Sequence, residues 1–260
     1  MVYVVIAIVA GMLADILFTM TTYKAPNARR VDIEFVGSYT DFTDAAPYEQ
    51  AALEAGRAYE LARDEAAGVD TAAEDYEVPL EEVLFLSLDY DPYSDDAYYG
   101  QQKYIVTLSA QEGDIFIVSR ALMVDLVQQG LAVDLSPYIE SGILDPGDRD
   151  LSRVTFDEFV EEGEEPTGKE CIYALQAETL TKLWSNFSYD YRDTYMVIMP
   201  YSQNPDTAAA VMQSLIDQFT PTAEELAAQE AAAAAAAATA EASATEAPAE
   251  SADAEKGTDE

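Results

Sequence analysis

The chain has 260 residues, of which 50 are acidic, 13 are basic and none is histidine, and its formal net charge is −37. This charge argues against nucleic acid as a partner, because phosphate binding needs clustered Lys and Arg. The lack of histidine excludes Ser–His and Cys–His catalysis, and the single cysteine, Cys171, excludes an internal disulfide, a CxxC redox pair and a thiolate zinc cluster. We expect Cys171 to be a small buried hydrophobic residue, and we expect a non-enzymatic protein without a cofactor.

The N-terminus is an apolar run from Val2 to Met20, interrupted by Gly11, Asp15 and Thr19. As a helix this run would be about 28 Å long, close to the ~30 Å hydrocarbon core of a bilayer. Asp15 would cost roughly 2.5–3.5 kcal/mol at the bilayer centre, whereas the Val, Ile, Leu and Phe side chains contribute about −3 to −6 kcal/mol. Residues 1–23 are therefore predicted to be a transmembrane anchor, followed by a linker, residues 24–30. A cleaved signal peptide is the alternative, but neither a charged leader nor a convincing A-x-A cleavage site is present.

Two strand–helix steps follow the linker. Residues 31–36 alternate apolar with polar side chains and stop at Gly37, which predicts a strand, and residues 46–66 have helical spacing with a stop at Gly68. The apolar run 83–88 predicts a buried strand, and residues 97–110 predict the next helix.

The alternation continues through the rest of the domain. Residues 114–119 and 121–129 form a third predicted strand and helix, and short strands are predicted at 171–175 and 195–199 before a helix at 207–219. The pattern predicts an α/β domain over residues 31–220, with a mainly parallel sheet and flanking helices. Residues 221–260 are rich in Ala and Glu without an apolar stripe, and we expect a disordered tail of low complexity.

Three segments resemble extracellular solute-binding proteins of ABC-type importers. The text E-G-D-I-F-I-V at 112–118 leads through V-Q-Q-G at 127–130 to L-A-V-D-L-S-P-Y-I at 131–139, and the pieces C-I-Y-A-L at 171–175 and S-Q-N-P-D-T-A at 202–208 agree in order. The resemblance implies one lobe of a type II periplasmic-binding-protein fold. Only about 35 residues separate Ile139 from Tyr173, too few for most of a second lobe.

The resemblance also implies a location and partners. It places the protein in the cell membrane as a single-pass protein with an extracytoplasmic C-terminal domain. The partners it implies are a permease or a small-molecule ligand of the sugar or peptide type. The positive-inside rule points the other way, because Lys24, Arg29 and Arg30 follow the anchor and would hold that side in the cytoplasm. A basic leader upstream of Met1 would reconcile the two.

Candidate binding residues follow the predicted strands. Open parallel sheets bind ligands beyond the carboxyl ends of their strands, which here carry Tyr39, Tyr90, Ser119 and Arg120. Plain packing is the alternative role for these tyrosines.

An acidic turn after the second predicted strand contains Asp89, Asp91, Asp95 and Asp96. Compared with an EF-hand loop, Tyr93 and Ser94 fall where an oxygen ligand and a glycine belong, so a solvated turn is favoured over a calcium site. No metal is therefore expected. The leading hypothesis is a non-catalytic, membrane-anchored solute-binding module, and the alternative is a structural or protein-interaction module that kept the fold but lost ligand capture.

Overall fold

The computed structural model describes residues 25–73, 75–91, 97–147, 171–228 and 231–232. Across these ranges no helix combines the length and the apolar character needed to cross a membrane. The predicted anchor at residues 1–23 lies outside the described residues, as do Asp95 and Asp96 of the acidic turn.

Among the described residues up to Phe219, five strands and six helices follow a short 3-10 turn at Asn27–Arg29. In chain order they are β1 Arg30–Gly37, α1 Ala46–Ala66, β2 Glu82–Asp89, α2 Ala97–Ala110, β3 Ile115–Ser119, α3 Arg120–Gln128, α4 Ser136–Glu140, β4 Leu175–Gln176, α5 Lys182–Phe187, β5 Thr194–Ile198 and α6 Pro205–Phe219. The α/β class and the predicted bounds of α1 and α2 are confirmed. Helices α4 and α5 were not predicted.

The strands form one mixed sheet in the order β2-β1-β3-β5-β4. Strand β1 is parallel to both β2 and β3, but β5 is antiparallel to β3 and to β4. The expected mainly parallel sheet is therefore corrected to a mixed one. Every residue of β5 is buried. A uniformly buried run predicts a strand inside the sheet, but it does not indicate whether that strand is parallel or antiparallel to its neighbours.

The predicted strand at 171–175 is also corrected, because only Leu175 and Gln176 pair with β5. The backbone upstream is held by other partners. The Ile172 amide donates to Asp134 Oδ1 and to Ser136 Oγ, both at 3.2 Å, and the Ile172 carbonyl accepts the Leu135 amide at 2.6 Å. Cys171 is buried within this segment, as predicted.

Each face of the sheet has its own core. Helices α1 and α6 pack on the face that carries Ile33 and Phe35, whereas α2 and α3 pack on the face that carries Val36 and Phe116. Helix α2 lies especially close to the end of β2, since a Cβ on Gly100 would collide with the Asp89 carbonyl oxygen.

Two backbone groups on the outer edge of β2 are bonded to side chains of neighbouring helices. Glu49 of α1 accepts the Phe85 amide at 2.8 Å, and the Lys103 ammonium of α2 donates to the Ser87 carbonyl at 3.0 Å. An edge strand whose backbone groups are occupied in this way is a poor template for pairing with another chain.

The described residues after the domain, 221–228 and 231–232, belong to a second unit that is separate from the domain. Within it, residues 223–228 are helical. None of these described residues belongs to the sheet or to its two cores.

Candidate functional site

A cavity of about 160 Å³ lies at the carboxyl ends of the parallel strands. Its walls include Ser38 after β1, Tyr90 after β2 and Ser119 at the end of β3. The antiparallel strand β5 begins at the same edge and contributes Thr194, and the turn before it contributes Arg192. Residues distant in sequence therefore meet in one place.

The position of the cavity follows from the strand order. From β1 the chain runs to β2 on one side and then crosses to β3 on the other, so the chain changes direction between β1 and β3. In open α/β sheets such a topological switch point leaves a crevice outside the carboxyl ends of the strands, where ligands bind. Gly37 and Ser119, the last residues of β1 and β3, both line this cavity.

The Ser119 hydroxyl is left without a hydrogen bond. Ser119 precedes α3 in extended conformation, with φ −63° and ψ 160°, yet its side chain does not cap the helix. The Oγ atom is buried and has no partner among the described residues. A buried hydroxyl without a partner is unusual, because it forfeits the hydrogen bonds it makes with water.

Charged groups of both signs stand at the cavity. The Arg192 guanidinium donates through Nε to Asp190 Oδ1 at 2.9 Å and through a terminal nitrogen to Oδ2 at 2.7 Å. Hydrogen bonding by Arg192 lowers the pKa of Asp190, so this carboxylate stays ionised near neutral pH. Both side chains are largely exposed, at 73% and 49%, and both are accessible to a solute.

The two tyrosines of the cavity are fixed by packing. Tyr189 is buried, and its hydroxyl donates between the carbonyls of Val36, at 3.0 Å, and Ile117, at 3.2 Å. Burial raises the pKa of Tyr189, which keeps the phenol neutral. The Tyr90 ring packs against Tyr104 with centroids 5.3 Å apart. These side chains form a rigid apolar wall.

The four predicted binding residues divide into two groups. Tyr90 and Ser119 line the cavity together. Tyr39 is 70% exposed and lies outside the lining, and Arg120 also lies outside it. The Arg120 guanidinium donates to the Tyr195 hydroxyl at 2.9 Å and to Asp193 at 3.3 Å, so it ties the start of α3 to the β5 region.

Among the lining residues that were not found from the sequence, four lie close together in the chain: Tyr189, Asp190, Arg192 and Thr194. They surround the start of β5, and an antiparallel strand presents its amino end where its parallel neighbours present their carboxyl ends. The polar D-Y-R-D-T segment at 190–194 was the sequence signal for a binding site. Its place at the cavity could not be predicted, because it depends on the direction of β5.

A larger cavity, of about 220 Å³, opens at the opposite edge of the sheet beside Asp32 and Asp114. Its two carboxylates already have partners. Asp114 accepts the Asp32 amide at 2.9 Å and the Ser202 hydroxyl at 2.6 Å, and Asp32 forms an ion pair with Arg30 at 2.8 Å. Burial raises the pKa of Asp114. We assign this cluster to joining β1, β3 and the segment before α6, not to binding.

Within the described ranges, no group of three or more His, Cys, Asp or Glu side chains is arranged to hold a metal ion. No protein family, curated protein or solved structure matches the chain. The similarity to solute-binding proteins therefore stays a prediction, and the function has to be argued from the strand-end cavity.

Proposed function

We propose that the protein binds a small polar solute in the strand-end cavity, without transforming it, as a membrane-tethered relative of one lobe of solute-binding proteins. The observation that carries the proposal is the cavity at the switch point between β1 and β3, which Ser119 lines and beside which the buried Ser119 hydroxyl has no partner among the described residues. Ligands of α/β sheets bind at this position, and a solute hydroxyl or carboxylate would supply the missing partner.

The lining selects the chemistry of the solute. Ser119 and Leu122 border the first turn of α3, where the positive end of the helix dipole favours an oxygen-rich or anionic group. Arg192 and Asp190 are bonded to each other, and each has further capacity, the guanidinium as a donor and the carboxylate as an acceptor for a hydroxyl or ammonium group. The rings of Tyr90 and Tyr189 suit a carbon skeleton. A free amino acid, a small hydroxy acid or a single sugar meets these requirements.

The dimensions of the cavity argue for weak binding. Its volume of about 160 Å³ is below the roughly 300–1,000 Å³ of pockets that enclose a drug-sized ligand. One side of the solute stays in water. If about 150 Å² of apolar burial is forgone at ~25 cal/mol/Å², some 4 kcal/mol is lost, close to a thousandfold in affinity. We expect no sub-micromolar binding to single sugars, amino acids or short peptides.

The proposed tether places the cavity on the outer face of the membrane, where a permease would receive the solute. Reporter fusions after Arg30 and after Phe219 test this location independently of binding. Both fusions should be active only outside the cytoplasm. Cytoplasmic activity in both would exclude a role beside an importer.

The decisive binding experiment compares two buried hydroxyls. Both Ser119 Oγ and Thr181 Oγ1 lack a partner among the described residues, but only Ser119 lines the cavity. Ligands are first identified by saturation-transfer NMR with a panel of amino acids, hydroxy acids and sugars, and affinities are then measured by calorimetry. Ser119→Ala should weaken binding about two- to tenfold, the worth of one hydrogen bond, without lowering the Tm. Thr181→Val should leave the affinity unchanged.

Two results would refute the binding proposal. The first is the absence of any ligand in the panel at millimolar concentration. The second is a ligand whose affinity is indifferent to Ser119→Ala and to Arg192→Gln, because such a ligand would bind elsewhere.

A further inference from the structure

The walls of the strand-end cavity carry more negative than positive side chains. The described residues that line it include two carboxylates, Asp91 and Asp190, but one guanidinium, Arg192. That guanidinium is already engaged by Asp190, at 2.9 Å through Nε and at 2.7 Å through a terminal nitrogen. The chain as a whole has a net charge of −37, which repels anions that approach from solvent. A solute that carries only negative charge is therefore disfavoured at this cavity.

The ion pair between Arg192 and Asp190 keeps bonding capacity on both partners. Arg192 donates to Asp190 through Nε and one terminal nitrogen, so its other terminal nitrogen is not used in this pair. Asp190 Oδ1 accepts two bonds from Arg192, from Nε and from the backbone amide at 3.1 Å, whereas Oδ2 accepts one within the described ranges. Both side chains are exposed. A solute can therefore reach a donor and an acceptor that lie next to each other.

We propose that the solute is a free α-amino acid, bound as a zwitterion. Its ammonium group pairs with Asp190, and its carboxylate pairs with Arg192 near the positive end of α3. The two charges of an α-amino acid are attached to one carbon, so they can lie antiparallel to the two charges of the Arg192–Asp190 pair. This inference rests on the proposed solute-binding function and narrows it to one of its three solute classes.

A hydroxy acid fits the charges of the cavity less well. It has the carboxylate of an amino acid but a neutral hydroxyl in place of the ammonium group, so it brings no cation to Asp91 and Asp190. A simple amine has the opposite defect, because it lacks the anion that Arg192 and the start of α3 select. A solute with both charges satisfies both partners of the ion pair.

The aromatic side chains of the cavity are not arranged for a sugar. A sugar is held largely by laying a C–H face on an open aromatic ring, but Tyr90 and Tyr189 are only 9% and 2% exposed. The Tyr90 ring packs against Tyr104, and the Tyr189 ring packs edge-on against Phe35 with centroids 5.2 Å apart. The two phenols therefore present a narrow apolar surface to the cavity, which suits the side chain of an amino acid better than the face of a hexose.

Matched solutes test this class directly on the full-length chain. L-Lactate replaces the ammonium group of L-alanine with a hydroxyl, L-alaninol replaces its carboxylate with a hydroxymethyl group, and D-glucose represents the sugars. Dissociation constants are measured at neutral pH by saturation-transfer NMR titration. Lactate and alaninol should each bind roughly ten- to hundredfold more weakly than alanine, the worth of one hydrogen-bonded charge, and glucose should not bind in the same range. The same comparison of L-leucine with its hydroxy acid covers longer side chains.

Two substitutions in the ion pair should change the preference in different ways. Asp190→Asn removes the partner of the ammonium group and releases Arg192, so alanine should bind about tenfold more weakly and lactate should bind more tightly. Arg192→Gln should weaken the binding of alanine and lactate but not that of alaninol. A residue with a merely structural role would weaken all three solutes alike.

Asp193→Asn is the matched control for Asp190→Asn. The Asp193 side chain is 67% exposed, lies outside the cavity lining and pairs with Arg120. Its φ of 50° is a backbone conformation that asparagine adopts readily, so the substitution should not disturb the loop. The control should leave the ratio of the alanine and lactate affinities unchanged, and melting curves verify that each variant is folded.

The outcomes separate failure of this inference from failure of the proposed function. Another class of solute that binds as tightly as the amino acids, in a way that depends on Ser119 or Arg192, would overturn the amino-acid assignment and leave solute binding in place. A preference for alanine over lactate that is the same in Asp190→Asn and Asp193→Asn would also overturn the assignment. If none of these solutes binds at millimolar concentration, the solute-binding function itself falls, and the assignment falls with it.

Discussion

Replacing Glu60 with alanine should destabilise the domain strongly, because this carboxylate is buried between three segments. Glu60 lies in α1 and is only 1% exposed. Its Oε2 accepts the Leu80 amide at 2.7 Å, just before β2, and its Oε1 accepts the Thr207 hydroxyl at 3.1 Å, in the first turn of α6. Alanine removes both acceptors and leaves two buried donors unpaired.

The expected loss follows from these contacts. Removing a buried charged partner that holds two donors costs about 3–5 kcal/mol. A domain of this length loses roughly 2–4 °C in Tm per kcal/mol, so the Tm of Glu60→Ala should fall by about 10 °C. Glu60→Gln keeps an oxygen for the Leu80 amide and directs its amide at the Thr207 oxygen, so it should cost only about 1–2 kcal/mol.

Urea unfolding followed by circular dichroism measures these differences. Glu54→Ala is the matched control, because Glu54 is exposed on the same helix and bonds only to Gln50 in the described structure. The control should change the free energy of unfolding by less than about 0.5 kcal/mol. A loss below about 1 kcal/mol for Glu60→Ala would refute the argument. A glutamine variant as unstable as the alanine variant would refute the assigned roles of the two oxygens.

Four further predictions concern other parts of the chain. Burial raises the pKa of Asp114 above its ordinary value of 3.8, so its contribution to stability is fully present below that value and is lost as pH rises through the folded-state pKa. Asp114→Asn should remove this slope from urea titrations at several pH values, and parallel profiles for the two proteins would contradict it. Gly100→Ala should destabilise by about 1–3 kcal/mol in urea, because the new methyl group meets the Asp89 carbonyl, although alanine normally favours a helix; a gain in stability would show that the approach is looser. Glu49→Ala should increase light scattering by freeing an amide on the edge strand, and unchanged scattering would show that the edge is covered by other means. Deleting residues 221–260 should leave the Tm unchanged, whereas a large fall would show that the tail packs on the domain.

Local chemistry was sufficient to predict most of the secondary structure. Gly68, at φ 80°, follows α1 as predicted, whereas the left-handed residue that directly follows α2 is Gln111, at φ 56°, two residues before the predicted breaker Gly113. The periodicity of residues 46–66 and 97–110 predicted the bounds of α1 and α2. It also placed Tyr90 and Ser119 at strand ends, where the cavity lies. These inferences depend on neighbours in the chain, which is the information a sequence carries directly.

The tertiary structure decided which residues complete the cavity. Strand β5 is a uniformly buried run, and its direction is set by pairing with β3 and β4, which are distant in sequence. That direction brings Arg192 and Thr194 to the cavity. Likewise, Glu60 is buried because Leu80 and Thr207 converge on it. Residues 171–174 leave the sheet because the side chains of Asp134 and Ser136 accept the Ile172 amide. The acidic, amphipathic sequence determined the elements and their faces, whereas long-range pairing and burial determined how they meet, since those energies depend on contacts that no local pattern specifies.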